Sequence, residues 1–211
     1  MHPVAYDVVQ ERFPTLKWHS HADSPNSSQV FALSAFLPLL TMECKDGIIT
    51  EFVRRTFPDA RISDEATWEI VPEFTAGDLL GETGIGEPTN VDMLLRSAEA
   101  VICVESKYRV DASEGFGKCR QPSTGACKGF HGEGSDAKGS TDAWCRLGVQ
   151  DGRRNPRRYW ELADDFFQSQ ALAEQHEGDV CPLLHHYQIA RNFFLARELA
   201  RQEDIPFFGA V

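Results

Sequence analysis

Apolar residues recur at helical spacing in the first quarter of the chain, alternate at strand spacing in the middle, and return to helical spacing near the end. From Ser28 to about Thr41, Val30, Phe31, Leu33, Ala35, Phe36, Leu37 and Leu40 cover almost the whole circumference, which predicts a buried helix. Asn26 or Ser27 is suited to cap it, and Pro38 to bend it or end its regular part. A second helix is expected over residues 47–57, with Ile48, Ile49, Phe52 and Val53 inward and Arg54 and Arg55 on a solvated face. Residues 67–74 (TWEIVPEF) have strand character, with Trp68, Ile70 and Pro72 on one side. Two short apolar runs, Val91-Asp92-Met93-Leu94-Leu95 and Ala100-Val101-Ile102-Cys103-Val104, flank a polar Arg96-Ser97-Ala98-Glu99 and outline two strands joined by a tight turn.

Around this centre the pattern is less regular. Residues 1–26 read as an N-terminal arm. Residues 77–87 read as a loop, and residues 111–155 as a long Gly- and Cys-containing insertion with little periodicity. Helices are expected over 155–169, with a stripe of Tyr159, Trp160, Leu162, Ala163, Phe166 and Phe167, and over 181–202, with Leu183, Leu184, Tyr187, Ala190, Phe194, Leu195 and Leu199. The last residues, 204–211, look like the start of an apolar strand: a short edge strand, or the point where a longer chain is cut. Strands mixed with helices over 211 residues make one sizeable α/β domain, residues 27–211.

Charge and cysteine content narrow the setting. No apolar run has the length of a membrane span, and no basic-then-apolar leader opens the chain, so a cytoplasmic protein without membrane contact is expected. A net charge of −11 argues against a general nucleic-acid coat. It leaves room for local positive clusters, here Lys118, Arg120 and Lys128, and Arg153, Arg154, Arg157 and Arg158. Six cysteines in such a setting suggest reduced thiols or metal ligands rather than disulfides.

The charges on the central hairpin need a reason. Glu105 and Lys107 share a strand face with Val101 and Cys103. With the turn centred between Ala98 and Glu99, Asp92 lies directly across from Glu105, where opposed Cβ atoms are about 4.5–5.5 Å apart. Two carboxylates that close repel, and a divalent, oxygen-preferring cation relieves the repulsion. The plainer alternative is a hairpin whose rim carries these charges in solvent.

Asp92, a gap of twelve residues, and Glu105-x-Lys107 on a hydrophobic strand resemble the PD-(D/E)XK nuclease superfamily, with Val91 in place of the motif's proline. Ser27-Ser28-Gln29 opening an apolar helix, Glu105-Ser106-Lys107-Tyr108 and Tyr187-Gln188-Ile189-Ala190-Arg191-Asn192 resemble its restriction-endonuclease-like branch, over about residues 27–211. The resemblance implies a restriction-endonuclease-like core, a central mixed β-sheet flanked by helices. It also implies a Mg²⁺- or Mn²⁺-dependent nuclease acting on DNA, or on RNA, by phosphodiester hydrolysis, with Asp92, Glu105 and Lys107 catalytic. Asp92, Glu105 and the main-chain carbonyl of Ser106 would hold the metal, and Glu82 is a candidate further ligand. Gln29, Gln188 and Arg191 are candidates for supporting the site or contacting phosphate, and a homodimer would suit double-strand cutting.

Cys119, Cys127, Cys145 and Cys181 form a candidate four-thiolate site for zinc or an iron–sulfur cluster, with His131 as an alternative ligand; four free thiols are the other reading. Cys103 reads as a small core residue and Cys44 has no evident partner. Two other functions stay open at this level. One is an inactive nucleic-acid-binding module with a cysteine-bound structural metal, and the other is a protein-interaction domain.

Overall fold

The structure, a computed structural model, describes residues 1–20, 22, 24, 27–84, 88–107, 149–150, 153–154, 157–159, 162 and 183–210. In order these form α1 (Pro3–Arg12), α2 (Ser28–Phe36), a 3-10 turn (Leu37–Thr41), α3 (Lys45–Thr56), β1 (Glu69–Thr75), β2 (Asn90–Arg96), β3 (Val101–Val104), a short ribbon of β4 (Val149–Gln150) and β5 (Arg153–Arg154), α4 (Leu183–Glu203) and β6 (Phe207–Ala210). They belong to two compact units. The first holds α1 to α3, β1 to β3, the last turns of α4 and β6; the second holds the loop Ala76–Thr89 and the described residues between 149 and 194.

In the first unit the helices follow the expected pattern with informative departures. Ser27 caps α2, its hydroxyl accepting the N–H of Val30 at 3.3 Å. Ser27→Ala should lower stability by about 1 kcal/mol in urea unfolding, because that N–H loses its partner. Regular α-geometry stops at Phe36, and Pro38 sits in the 3-10 turn that follows, where its missing N–H is tolerated. The helix is not enclosed all round: Gln29, Ala32 and Leu33 are buried, whereas Phe31 is 50% exposed. Its neighbours, α1 and β2, cover only part of its circumference.

In α3, Ile49 and Val53 point inward as expected, but Ile48 is exposed and Thr50 is buried instead. The Thr50 hydroxyl accepts the indole N–H of Trp68 at 3.0 Å, which explains a polar residue on the inner face. Arg55 is on the outer face with Glu51, but Arg54 is not free: its guanidinium donates to the Ile62 carbonyl and to Asp64. The expected N-terminal arm carries α1, whose Ala5, Val8 and Val9 are buried in the main core.

The four strands have the order β1-β2-β3-β6. β1, β2 and β3 are successively antiparallel, and β6 runs parallel to β3, so the sheet is mixed. One face presents Ile70, Met93, Leu95, Ile102 and Val104 to Leu33, Leu37, Ile49 and Val53, forming the main core. On the other face Leu94, Val101 and Cys103 are also buried, and Arg96 pairs with Glu203 at the end of α4. Cover on both faces explains why β2 and β3 read as continuous apolar runs rather than alternating ones. Burial pushes the Cys103 thiol far up, consistent with a small core residue. Asp204, with φ of 54°, ends α4 in the left-handed conformation and turns the chain into β6. Among the described residues no helix is long and apolar enough to cross a membrane.

Candidate functional site

The antiparallel pairing of β2 with β3 sets the geometry of the first unit's polar cluster. Met93 is opposite Val104 and Leu95 opposite Ile102, the register expected from a turn between Ala98 and Glu99. Continued by one residue, it sets Asp92 against Glu105, just past the end of β3. Ser97 holds the turn, its hydroxyl accepting the N–H groups of Glu99 and Ala100. The rim is not solvated: Asp92, Glu105 and Ser106 are 8%, 3% and 7% exposed.

Within this cluster each group has a defined partner. The Ser106 N–H donates to Asp92 Oδ2 at 2.7 Å, tying the two strand ends together. Lys107 Nζ donates to Glu105 Oε1 at 2.6 Å. Burial, and then the charge of Glu105, pushes the Asp92 carboxyl up to about 7. The Ser106 N–H and the Lys107 ammonium pull the other way, and Glu73 adds a further upward push. The carboxylates outnumber the single lysine, and a cation at their junction would offset their mutual repulsion.

Glu73 is the residue that sequence reasoning missed. Its neighbours Pro72 and Phe74 pair with Met93 and Val91, so it stands opposite Asp92 on β1. Its backbone φ is 50°, a conformation uncommon for a residue with a side chain. Its side chain is 9% exposed; Oε2 accepts from Asn90 Nδ2 and lies 3.3 Å from His19 Nε2. Its other oxygen, Oε1, is buried without a hydrogen-bond partner among the described residues. Gln29 is fully buried and clamps the chain beside it, accepting from the His19 N–H at 2.9 Å and donating to the Lys17 carbonyl at 2.8 Å. Gln29 therefore supports the segment that carries His19 rather than facing solvent. The only sequence signal for Glu73 was its place in the strand 67–74. Its partner strand was not readable, because the connection to β2 is long.

The second unit has its own buried polar centre. Glu82 is 2% exposed and accepts from the Thr89 N–H at 2.6 Å, the Thr89 hydroxyl at 2.9 Å, the Tyr159 hydroxyl and Arg191 at 3.2 Å. Arg191 also donates to the Thr89 hydroxyl at 2.9 Å and lies over the rings of Tyr159 and Tyr187. Burial raises the Tyr159 hydroxyl far above its usual range, so it stays a donor. These contacts make Glu82 and Arg191 the clasp that closes the loop between β1 and β2 within this unit. Gln188 is half-buried on the same helix as Arg191. His186 marks a kink in α4, with φ of −123° and ψ of 25°. Arg158, from the second positive cluster, donates to the Leu79 carbonyl and is used internally.

Cys119, Cys127, Cys145, Cys181 and His131, and Lys118, Arg120 and Lys128, lie outside the described residues. Cys44 is exposed and free. Among the described residues no three His, Cys, Asp or Glu side chains are placed to hold a metal by themselves.

The family model described as Restriction Endonuclease associating with ARP (REase-ARP) matches residues 4–208. No curated protein and no solved structure matches the chain.

Proposed function

The chain belongs to the REase-ARP family of restriction endonucleases, and on that premise we propose that it is a Mg²⁺-dependent nuclease of the PD-(D/E)XK type that hydrolyses DNA phosphodiester bonds. The observation that carries the reading is the opposition of buried Asp92 and Glu105 at the ends of two paired strands, with Lys107 bonded to Glu105. The mixed sheet with helices on its α1–α3 face is consistent with a restriction-endonuclease-like fold.

Phosphodiester hydrolysis needs a nucleophilic water, stabilisation of the charge gained by the phosphate, and help for the leaving oxygen. Asp92, Glu105 and the Ser106 main-chain carbonyl would hold Mg²⁺, which fits a site rich in carboxylate oxygen. Bound there, the ion supplies a more acidic water and polarises the phosphoryl oxygen. Ser106 fixes Asp92 through its N–H, so that carboxylate cannot swing away. Lys107 holds Glu105, and its ammonium would stabilise the phosphate oxygens as they gain charge. Overall negative charge leaves attraction for DNA to local positive patches. A homodimer would present two such sites to the two strands.

Supercoiled plasmid incubated with the protein and Mg²⁺ or Mn²⁺ should be nicked, and EDTA should stop it. Binding of DNA without nicking under any divalent cation would instead make the chain an inactive binding module. Lys107→Met should lower the nicking rate about a hundredfold, the loss typical of one charge-stabilising donor. Its Mg²⁺ half-saturation should stay close to wild type, since Lys107 is no ligand.

A further inference from the structure

A buried carboxylate oxygen with no partner is rare and calls for an explanation. Glu73 has one. Its side chain is more than nine-tenths buried, Oε2 is held by Asn90 and His19, and among the described residues Oε1 has nothing to accept from. The strand register sets this carboxylate against Asp92, and the two interact electrostatically. The backbone adopts the left-handed conformation at this residue, a local distortion of the kind found where a side chain is aimed for function. Held through Asn90 and His19, with His19 itself pinned by buried Gln29, the carboxylate is oriented and not merely present.

We propose that Glu73 Oε1 accepts a hydrogen bond from a water bound to the cation at Asp92 and Glu105, so that Glu73 is a positioning residue for that water. This rests on the cation reading above and adds a fourth member to the site. Glu73 is not placed to complete a direct three-carboxylate cage, whereas Mg²⁺ retains several of its waters and their protons need acceptors. A carboxylate facing such a water orders it and raises its basicity, as outer-shell partners do at other metal centres. His19, half exposed, is the outermost member of the chain and fixes which Glu73 oxygen is left to face the water.

The test is Mn²⁺ binding to the full chain, by calorimetry and by the cation-induced rise in melting temperature, for wild type, Glu73→Gln and Asp92→Asn. Glu73→Gln should weaken Mn²⁺ about 10–100-fold, the usual effect of losing an outer-shell partner. Without cation its melting temperature should be no lower than wild type, since an amide in this position leaves no buried charge. Merely structural packing would give the reverse: lower apo stability with unchanged affinity. His19→Ala, a change outside the core, should weaken Mn²⁺ several-fold in the same direction and serves if Glu73→Gln does not fold. Wild-type affinity in Glu73→Gln, alongside lost binding in Asp92→Asn, would overturn the role of Glu73 and leave the cation reading standing. No Mn²⁺ binding by the wild type would overturn the cation reading itself.

Discussion

Asp92→Asn loses nicking activity by more than about a thousandfold at any Mg²⁺ concentration, beyond the 10²–10³ typical of a single stabilising donor. The variant keeps the shape of the side chain and an acceptor for the Ser106 N–H, so the strand ends stay joined. What it removes is the negative charge shared with Glu105 at the proposed cation site. The loss is therefore one of chemistry and cation affinity, not of fold, and circular dichroism of the variant should match wild type. Nicking at wild-type rate, with matched Mg²⁺ and no wild-type carry-over, would remove Asp92 from the mechanism.

The same substitution has a second, opposite effect on stability. Asp92 titrates near 3.8 in the unfolded chain and is pushed up to about 7 in the folded protein, first by burial and then by Glu105. Between those values the folded state holds a proton that the unfolded state has released. Stability without divalent cation therefore falls as pH rises across that window, and levels off above it. Asn has no proton to lose. At pH 8 in EDTA, Asp92→Asn should exceed wild type by ~2–4 kcal/mol, while near pH 4 the two should converge. Mg²⁺ should narrow the gap at pH 8, because only the wild type gains from binding it. Equal stability at pH 8 in EDTA would show that Asp92 is not strained by its surroundings.

Glu82→Ala is expected to destabilise the second unit by about 3 kcal/mol, at the low end for breaking a buried ion pair because Arg191 keeps some solvent contact. The Thr89 N–H, the Tyr159 hydroxyl and Arg191 all lose an acceptor at once. Stacking of Arg191 on Tyr187 remains and limits the loss. Urea unfolding reads the magnitude, and amide exchange at Leu79, Leu80 and Thr89 reads the place. Unchanged exchange there would mean that the clasp does not hold the loop.

The hairpin of β2 and β3 was legible without coordinates because its information is local. Two apolar runs and a four-residue polar turn leave one sensible pairing, and that pairing sets Asp92 against Glu105. The cap at Ser27, the break near Pro38 and the apolar faces of α3 and α4 follow from equally local rules. Solvation was not legible in the same way. Phe31 and Ile48 are exposed and Gln29 and Thr50 buried, reversing their hydropathy, because exposure depends on which neighbour covers each face.

Glu73 shows the limit most clearly. Nothing in its own segment marks it, since an acid in a strand is ordinarily solvated. Its meaning comes from pairing with β2 across the long loop Ala76–Thr89, and from Gln29 of the distant helix α2, which pins His19 beside it. Patterns within ten or fifteen residues thus settle the elements and the acid pair, because alternation and turn length act at that range. Contacts between distant segments settle which acids are buried, which oxygen is left without a partner and which arginine is already spoken for, because desolvation is a property of the packed whole.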